Sequence, residues 1–236
     1  MEYVFGKNAV SAYLDTQRII EIYVTKEIKN SDFFKNICKH QIKVIEKSKV
    51  FLDDLVHNNK HQGIVAKIKD FEYADYENTI KKALLKERPV ILMLDGIEDP
   101  HNLGAIIRSA EAFQIDAIII GKHNCVPVNA TVAKVSTGAL ANVDIIQVTN
   151  LTKTLIDLKK KGFWVVEAEA NQGVDYASLD YQMPLVLVVG SEGFGISRLV
   201  KEQSDYNVFI PMYGKVNSLN VSVATAILLA KMMEKN

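Results

Sequence analysis

The sequence predicts an α/β fold: a small α/β domain, then a larger, Rossmann-like domain on a mostly parallel sheet. Two observations carry this. Apolar runs of β character alternate with segments of helical apolar spacing along nearly the whole chain. From residue 89 onward those runs are continuous rather than alternating, as in PVILMLD (89–95), DAIIIG (116–121) and LVLVVG (185–190). Continuous apolar strands are buried on both faces, which is the signature of a parallel sheet covered by helices.

The elements follow in order. KNAVSAYLD (7–15) has helical spacing, with Ala9, Val10, Ala12, Tyr13 and Leu14 mostly on one side. IIEIYVT (19–25) reads as a strand, DFFKNICKH (32–40) as a helix, IKVIEK (42–47) as a strand and KSKVFLDDLV (47–56) as a helix. HNNKHQG (57–63) is a loop, and IVAKIKDF (64–71) is a strand that closes a first domain over residues 1–70. Residues 71–88 are charged and weakly apolar, and Pro89 follows them; they read as a linker that includes a short helix. In the domain 89–236, strand 89–95 precedes helix 102–114. Strand 116–121 precedes a helical stretch near 129–140, and strand 143–148 precedes helix 151–161. Strands 163–169 and 185–190, a short helix near 195–203, strand 206–210 and a closing helix over about 218–234 complete the chain.

Composition narrows the function classes. No apolar run reaches the roughly 18 residues that span a bilayer, and the start lacks a signal-peptide layout, so a soluble cytoplasmic protein is expected. Formal net charge is zero, but residues 1–70 hold 12 Lys/Arg against 9 Asp/Glu, a local +3. That mild excess fits either an RNA-facing first domain or an ordinary solvated surface. Cys38 and Cys125 lie far apart and the five histidines are scattered, so neither a metal site nor a disulfide framework is expected.

Three polar loops follow or trail apolar strands: DPHNLGAIIRSAEA (99–112), GSEGFG (190–195) and MYGKVNSLN (212–220). In open α/β sheets ligands bind beyond the carboxyl ends of strands, so three such loops suggest one composite site. Capping explains one of Asn217, Ser218 and Asn220, not all three. GSEGFG has neither the dinucleotide spacing nor a P-loop lysine, which disfavours nicotinamide, flavin and P-loop chemistry. Ser191 is not in a nucleophile elbow. Glu192, flanked by glycines, is either part of a tight turn or an acceptor for a ligand. Arg108 is either a surface side chain with its stem on apolar neighbours or, with Asn102 near the helix start, a phosphate ligand.

LDGIEDPHNLGAIIRSAEAF, LVLVVGSEGFGISRLV and IPMYGKVNSLNVSVATAILLA resemble, in order and spacing, the three motifs of the SpoU branch of the SPOUT RNA methyltransferases. The resemblance covers about residues 89–236. The first 70 residues are similar to the ribosomal-protein-like RNA-binding domain that precedes the catalytic domain in many members, with FGKNAV and HQGIVA as its marks. Several expectations follow from the resemblance alone. The C-terminal segment would be threaded into a trefoil knot, and S-adenosylmethionine would be held near Thr137 and Gly138 and at Gly190, Ile210 and Leu219. The protein would be a homodimer, and the product a 2′-O-methylated ribose. Asn102, Arg108, Glu192, Ser218 and Asn220 would form the catalytic site. Arginine keeps its proton in proteins, so the expected role of Arg108 is to hold the target phosphate and polarise the 2′-hydroxyl, while Glu192, Ser218 and Asn220 orient the RNA and the arginine. The length and N-terminal domain resemble those of the bacterial 23S guanosine enzyme. A transfer-RNA enzyme is the alternative. A non-catalytic RNA-binding protein of the same fold would lack Asn102, Arg108, Glu192 or Asn220, and an unrelated α/β enzyme would carry an early cofactor fingerprint. In the first domain, Tyr3, Phe5, Tyr13 and Tyr23 serve either as base-stacking groups or as core, and Lys60, His61 and Gln62 form either an RNA contact or a solvated turn.

Overall fold

The computed structural model describes residues 2–11, 13–14, 18–69, 71–169, 173–191 and 193–234. The chain forms two compact units: residues up to Glu72 with Val128–Lys134, and Tyr73–Pro127 with the chain from Val135 onward.

In the first unit, strand β1 (Glu2–Phe5) and helix α1 (Lys7–Ser11) lead into β2 (Ile19–Val24), α2 (Lys26–Lys29), α3 (Asp32–Cys38), β3 (Lys43–Glu46), α4 (Lys49–Val56) and β4 (Ile64–Ile68). The sheet order is β1-β4-β2-β3. β4 is antiparallel to β1 and to β2, while β2 and β3 run parallel. Ile22, Val24, Ile37, Leu52 and Ile64–Ile68, all but Lys67, are buried to form its core. Helix α4 begins two residues later than the apolar spacing suggests, because Ser48 is its cap: its side chain accepts from the Phe51 N–H. Helix α1 stops at Ser11, and Tyr13 and Leu14 lie in a buried turn. The four-residue strand β1 and the one-turn α2 are too short for periodicity to mark.

The second unit contains α5 (Tyr76–Ala83), β5 (Val90–Asp95), α6 (Pro100–Ala112) and β6 (Ala117–Gly121). After α7 (Ala130–Val135) come β7 (Ile145–Val148), α8 (Leu151–Lys160), β8 (Trp164–Ala168), β9 (Val174–Asp175), β10 (Leu185–Gly190), α9 (Arg198–Lys201), β11 (Tyr206–Phe209) and α10 (Val221–Met232). Most of α7 belongs to the first unit. The sheet order is β7-β6-β5-β10-β8-β11-β9, and each of these pairings is parallel. The apolar runs in β5, β6 and β10 are buried, as continuous apolarity requires.

Three sequence expectations are altered in detail. The helical stretch near 129–140 is broken after Val135, because Thr137 and Gly138 both take positive φ, 53° and 88°. The short helix near 195–203 is confined to Arg198–Lys201. The segment read as a linker holds α5, whose Ile80 and Ala83 pack in one core cluster with Ile91, Met93, Leu155 and Val186. Asp75 caps α5, and the Tyr76 hydroxyl donates to Asp157 at 2.6 Å. No helix among the described residues is long and apolar enough to cross a membrane.

Candidate functional site

Because β5, β10 and β11 are parallel, their carboxyl ends lie at one edge of the sheet, and the three polar loops leave from that edge. Gly190 stands opposite Asp95 in the β10–β5 pairing. The Asp95 carboxylate accepts from the Ser197 N–H at 2.7 Å, tying the loop after β10 to the end of β5. That loop folds back on itself, with the Gly195 N–H donating to the Ser191 carbonyl at 2.9 Å. The fold-back leaves no room at Gly190, where a Cβ would overlap the Gly195 backbone. Glycine is needed here for close approach.

Under this fold-back lies a cavity of about 390 Å³. Val189, Ile196, Val208 and Leu228 give it apolar walls; Ser191, Asn217, Ser218 and Glu169 give it a polar side. Of the residues expected to hold a cofactor, Gly190, Ile210 and Leu219 line this cavity, as does Ser218. Thr137 and Gly138 sit in the turn after α7 and do not line it. Met212, Glu169 and Asp95 were not singled out from the sequence. Glu169 and Asp95 could have been found by asking which polar residues end a buried strand.

The first and third loops are joined by a hydrogen bond between side chains 118 positions apart. The Asn220 Nδ2 donates to the Asn102 Oδ1 at 2.9 Å. Asn220 caps α10, its Oδ1 accepting from the Ser222 N–H at 3.0 Å and the Ser222 hydroxyl at 2.6 Å. Asn102 is the third residue of α6, whose cap is Asp99. The N-termini of α6 and α10 thus converge, and both favour negative charge. Arg108 is exposed further along α6, and among the described residues no hydrogen bond or ion pair reaches it. Ideal helix geometry puts it about 9 Å along the axis and about a third of a turn from Asn102. Glu192 lies outside the described residues.

The first unit engages His61, Gln62, Tyr13 and Tyr23 within its own structure. His61 is 1% exposed. Its Nδ1 accepts from the Gly63 N–H at 2.9 Å, so Nε2 carries the proton and donates to Asp53 at 3.0 Å. Gln62 accepts from the Lys7 N–H at 2.9 Å. The His61 side chain is therefore structural, neither an RNA contact nor part of a solvated turn. Tyr13 and Tyr23 are buried, and burial pushes the Tyr23 hydroxyl up to about 12. Tyr3 is exposed.

An α/β unit with a small-molecule cavity at the carboxyl edge of its sheet is the architecture of a ligand-binding α/β enzyme. Residues 89–230 match the SpoU rRNA Methylase family, and residues 3–74 match the RNA 2′-O ribose methyltransferase substrate-binding family. The chain belongs to the SpoU rRNA methylase family and is an RNA methyltransferase of that family. A Staphylococcus aureus (strain MSSA476) protein named as a TrmH family tRNA/rRNA methyltransferase is 43% identical over 98% of this chain and 95% of its own length. Among solved structures, the SpoU methyltransferase AviRb of Streptomyces viridochromogenes, in complex with AdoMet, superposes with a TM-score of 0.71 at 21% identity, covering 98% of this chain and 88% of its own; this likeness concerns the fold. The A. aeolicus TrmH/SpoU tRNA modifying enzyme is 32% identical over 66% of this chain and 82% of its own, with a TM-score of 0.57.

Proposed function

We propose that the protein methylates the 2′-hydroxyl of an RNA ribose, at a guanosine of 23S ribosomal RNA, with S-adenosylmethionine as donor, and that it acts as a homodimer in the cytoplasm. The observation that carries this reading is the Asn220–Asn102 hydrogen bond, which joins the first and third motifs beside the cavity that Leu219 and Val221 line. The cavity fits the donor: its volume is in the range for small-molecule sites, apolar walls suit a purine, and Gly190 lets the ligand meet the backbone. S-adenosylmethionine would supply an electrophilic methyl on a sulfonium. Gly190, Ile210 and Leu219 would hold it, with Thr137 and Gly138 as further contacts on the family resemblance. The AdoMet complex of AviRb supports the choice of donor.

The chain's own groups would do the rest. The converging N-termini of α6 and α10 attract the RNA phosphates. Arg108 holds the phosphate of the target nucleotide and polarises its 2′-hydroxyl. Ser218, Asn220, Asn102 and Glu192 orient the ribose, because in-line geometry is a large part of the rate. Tyr213, Val216 and Val223, exposed around the start of α10, support a second copy covering this edge. A dimer would bring in groups that Arg108, placed away from Asn102 on α6, could serve. The threading of the C-terminal segment through a knot belongs to the same reading, on the family resemblance. The net +3 of residues 1–70 and the match of residues 3–74 support the first unit as the RNA-binding part. A transfer-RNA ribose is the second reading, favoured by the A. aeolicus tRNA modifying enzyme.

The test is methyl transfer from labelled S-adenosylmethionine to unmethylated rRNA and tRNA, with the position mapped by resistance to alkaline cleavage. Label at one 23S guanosine 2′-oxygen is expected. Label in tRNA alone selects the second reading, and label on a base overturns both. Arg108→Ala is expected to abolish transfer and leave S-adenosylmethionine binding nearly intact; an active variant removes the role given to Arg108.

A further inference from the structure

We infer that Ser222, acting through Asn220, fixes the polarity of the Asn102 side chain, so that Asn102 offers its NH2 group as a donor to an oxygen of the RNA backbone. The inference rests on the proposed reading of the site as an RNA ribose methyltransferase.

One group at this junction has a polarity beyond choice. The Ser222 main-chain N–H can only donate. It lies 3.0 Å from one terminal atom of the Asn220 side chain, so that atom must be the oxygen. The Ser222 hydroxyl, at 2.6 Å from the same atom, then donates to it as well. The other terminal atom of Asn220 is then Nδ2, and it faces Asn102 at 2.9 Å. Only an acceptor fits there, so Asn102 turns its Oδ1 toward Asn220. Its NH2 group is left on the other branch of the amide, and among the described residues nothing accepts from it. Asn102 lies in the first turn of the thirteen-residue α6, where free main-chain N–H groups and the helix dipole also favour an electron-rich partner. Phosphate and ribose ring oxygens only accept, so a donor suits an RNA backbone and a carbonyl oxygen in its place would repel it.

Asn220→Asp reverses this polarity with little change of shape. Aspartate caps a helix as well as asparagine does, and one of its oxygens still accepts from Ser222. Its other oxygen now faces Asn102, which must turn its NH2 inward and its carbonyl outward. The expected result is a fall of about 100-fold in kcat/KM for RNA, with S-adenosylmethionine affinity and melting temperature close to wild type. Asn220→Ala removes the director without imposing the opposite polarity, and about a tenfold loss is expected. The order is the diagnostic. A merely structural cap would make alanine worse than aspartate; the relay makes aspartate worse than alanine. Aspartate as active as alanine, or more so, overturns the inference.

Two controls separate other causes. If the aspartate acts only by its charge, its penalty over alanine persists in an Asn102→Ala background; if it acts by turning Asn102, that penalty disappears. Ser222→Ala, which keeps the main-chain N–H, is expected to lose a few-fold in kcat/KM, and Ser222→Thr to restore it. Hydrogen exchange of the Asn102 side-chain NH2, read by NMR on asparagine-labelled protein, reports polarity without any activity. It should be unprotected in wild type and protected in Asn220→Asp. Wild-type protein with that pattern but no methyl transfer to RNA overturns the proposed function and leaves the relay standing; a protected Asn102 NH2 in wild type overturns the relay.

Discussion

The loop at 57–63 in the first unit shares its sequence character with the loops at 190–197 and 210–220 in the second unit. Each is short, polar, glycine-bearing and adjacent to an apolar strand. They use their polar groups in opposite ways. In the first unit, Asn58 accepts from the Lys60 N–H, Gln62 from the Lys7 N–H, and both nitrogens of the buried His61 are engaged by Gly63 and Asp53. In the second unit, Ser191, Asn217 and Ser218 line a cavity, and the Asn220–Asn102 pair stands beside it. Spent hydrogen-bonding capacity, rather than polarity, separates a structural side chain such as His61 from a site residue such as Asn102, whose NH2 meets no acceptor among the described residues. Buried polar groups are almost always paired, so a buried side chain such as His61, with both ring nitrogens engaged, has nothing left for a ligand.

The largest expected effect tests the cavity-lining loop after β10. In Gly190→Ala the new methyl would overlap the Gly195 and Ile196 backbone, which cannot rotate away as a side chain can. The fold-back must open, at a cost of about 3 kcal/mol or more, and S-adenosylmethionine binding measured by calorimetry should disappear. Undiminished binding with an unchanged melting temperature would mean that the fold-back does not shape the cavity.

His61→Ala tests the other side of the comparison. It leaves the Asp53 carboxylate and the half-buried Gly63 N–H without their partner and opens a void, so a loss of about 2–4 kcal/mol is expected. Urea unfolding should show this loss in the first unit, while S-adenosylmethionine binding to the folded second unit is unchanged. A solvated turn would give an effect within about 0.5 kcal/mol; a change that small would erase the distinction drawn between the loops.

The sequence made the parallel sheet legible because VILMLD, AIIIG and LVLVVG are long enough for continuous apolarity to mean burial on both faces. It could not show β9, since Val174 and Asp175 carry no period. It could not show that the stretch near 129–140 breaks, because Thr137 sits at positive φ without being a residue type that favours it. The site was legible as three strand-end loops. The bond between Asn102 and Asn220 was not, because it depends on which strands are neighbours, and no spacing rule reaches across 118 positions. His61 was misread for a related reason. Its partners, Asp53 eight residues back and Gly63 two ahead, are close in sequence, but the chain between Asp53 and His61 reverses through a left-handed residue, His57, that no periodicity marks.

The smallest effect concerns a residue that links the two behaviours within one strand. Along β8, Glu167 is buried and accepts from the Ser204 hydroxyl at 2.9 Å, while Ala168 and Glu169, immediately beyond it, line the cavity. Burial raises the Glu167 carboxyl above the ordinary carboxylate range, against the opposing pull of Ser204 and Lys201. A folded-state pKa raised above the unfolded one contributes stability that is complete below the unfolded pKa and is lost as pH rises through the folded pKa. Glu167→Gln keeps an acceptor for Ser204 and removes the titration. The variant should therefore melt at the same temperature as wild type near pH 4 and slightly higher at pH 8, with S-adenosylmethionine binding unchanged at both. Equal melting at both values would place Glu167 with the solvated groups. A loss of binding would move Glu167 from the spent side of the comparison to the side that serves a ligand, and the boundary between the two would then fall one residue earlier along β8.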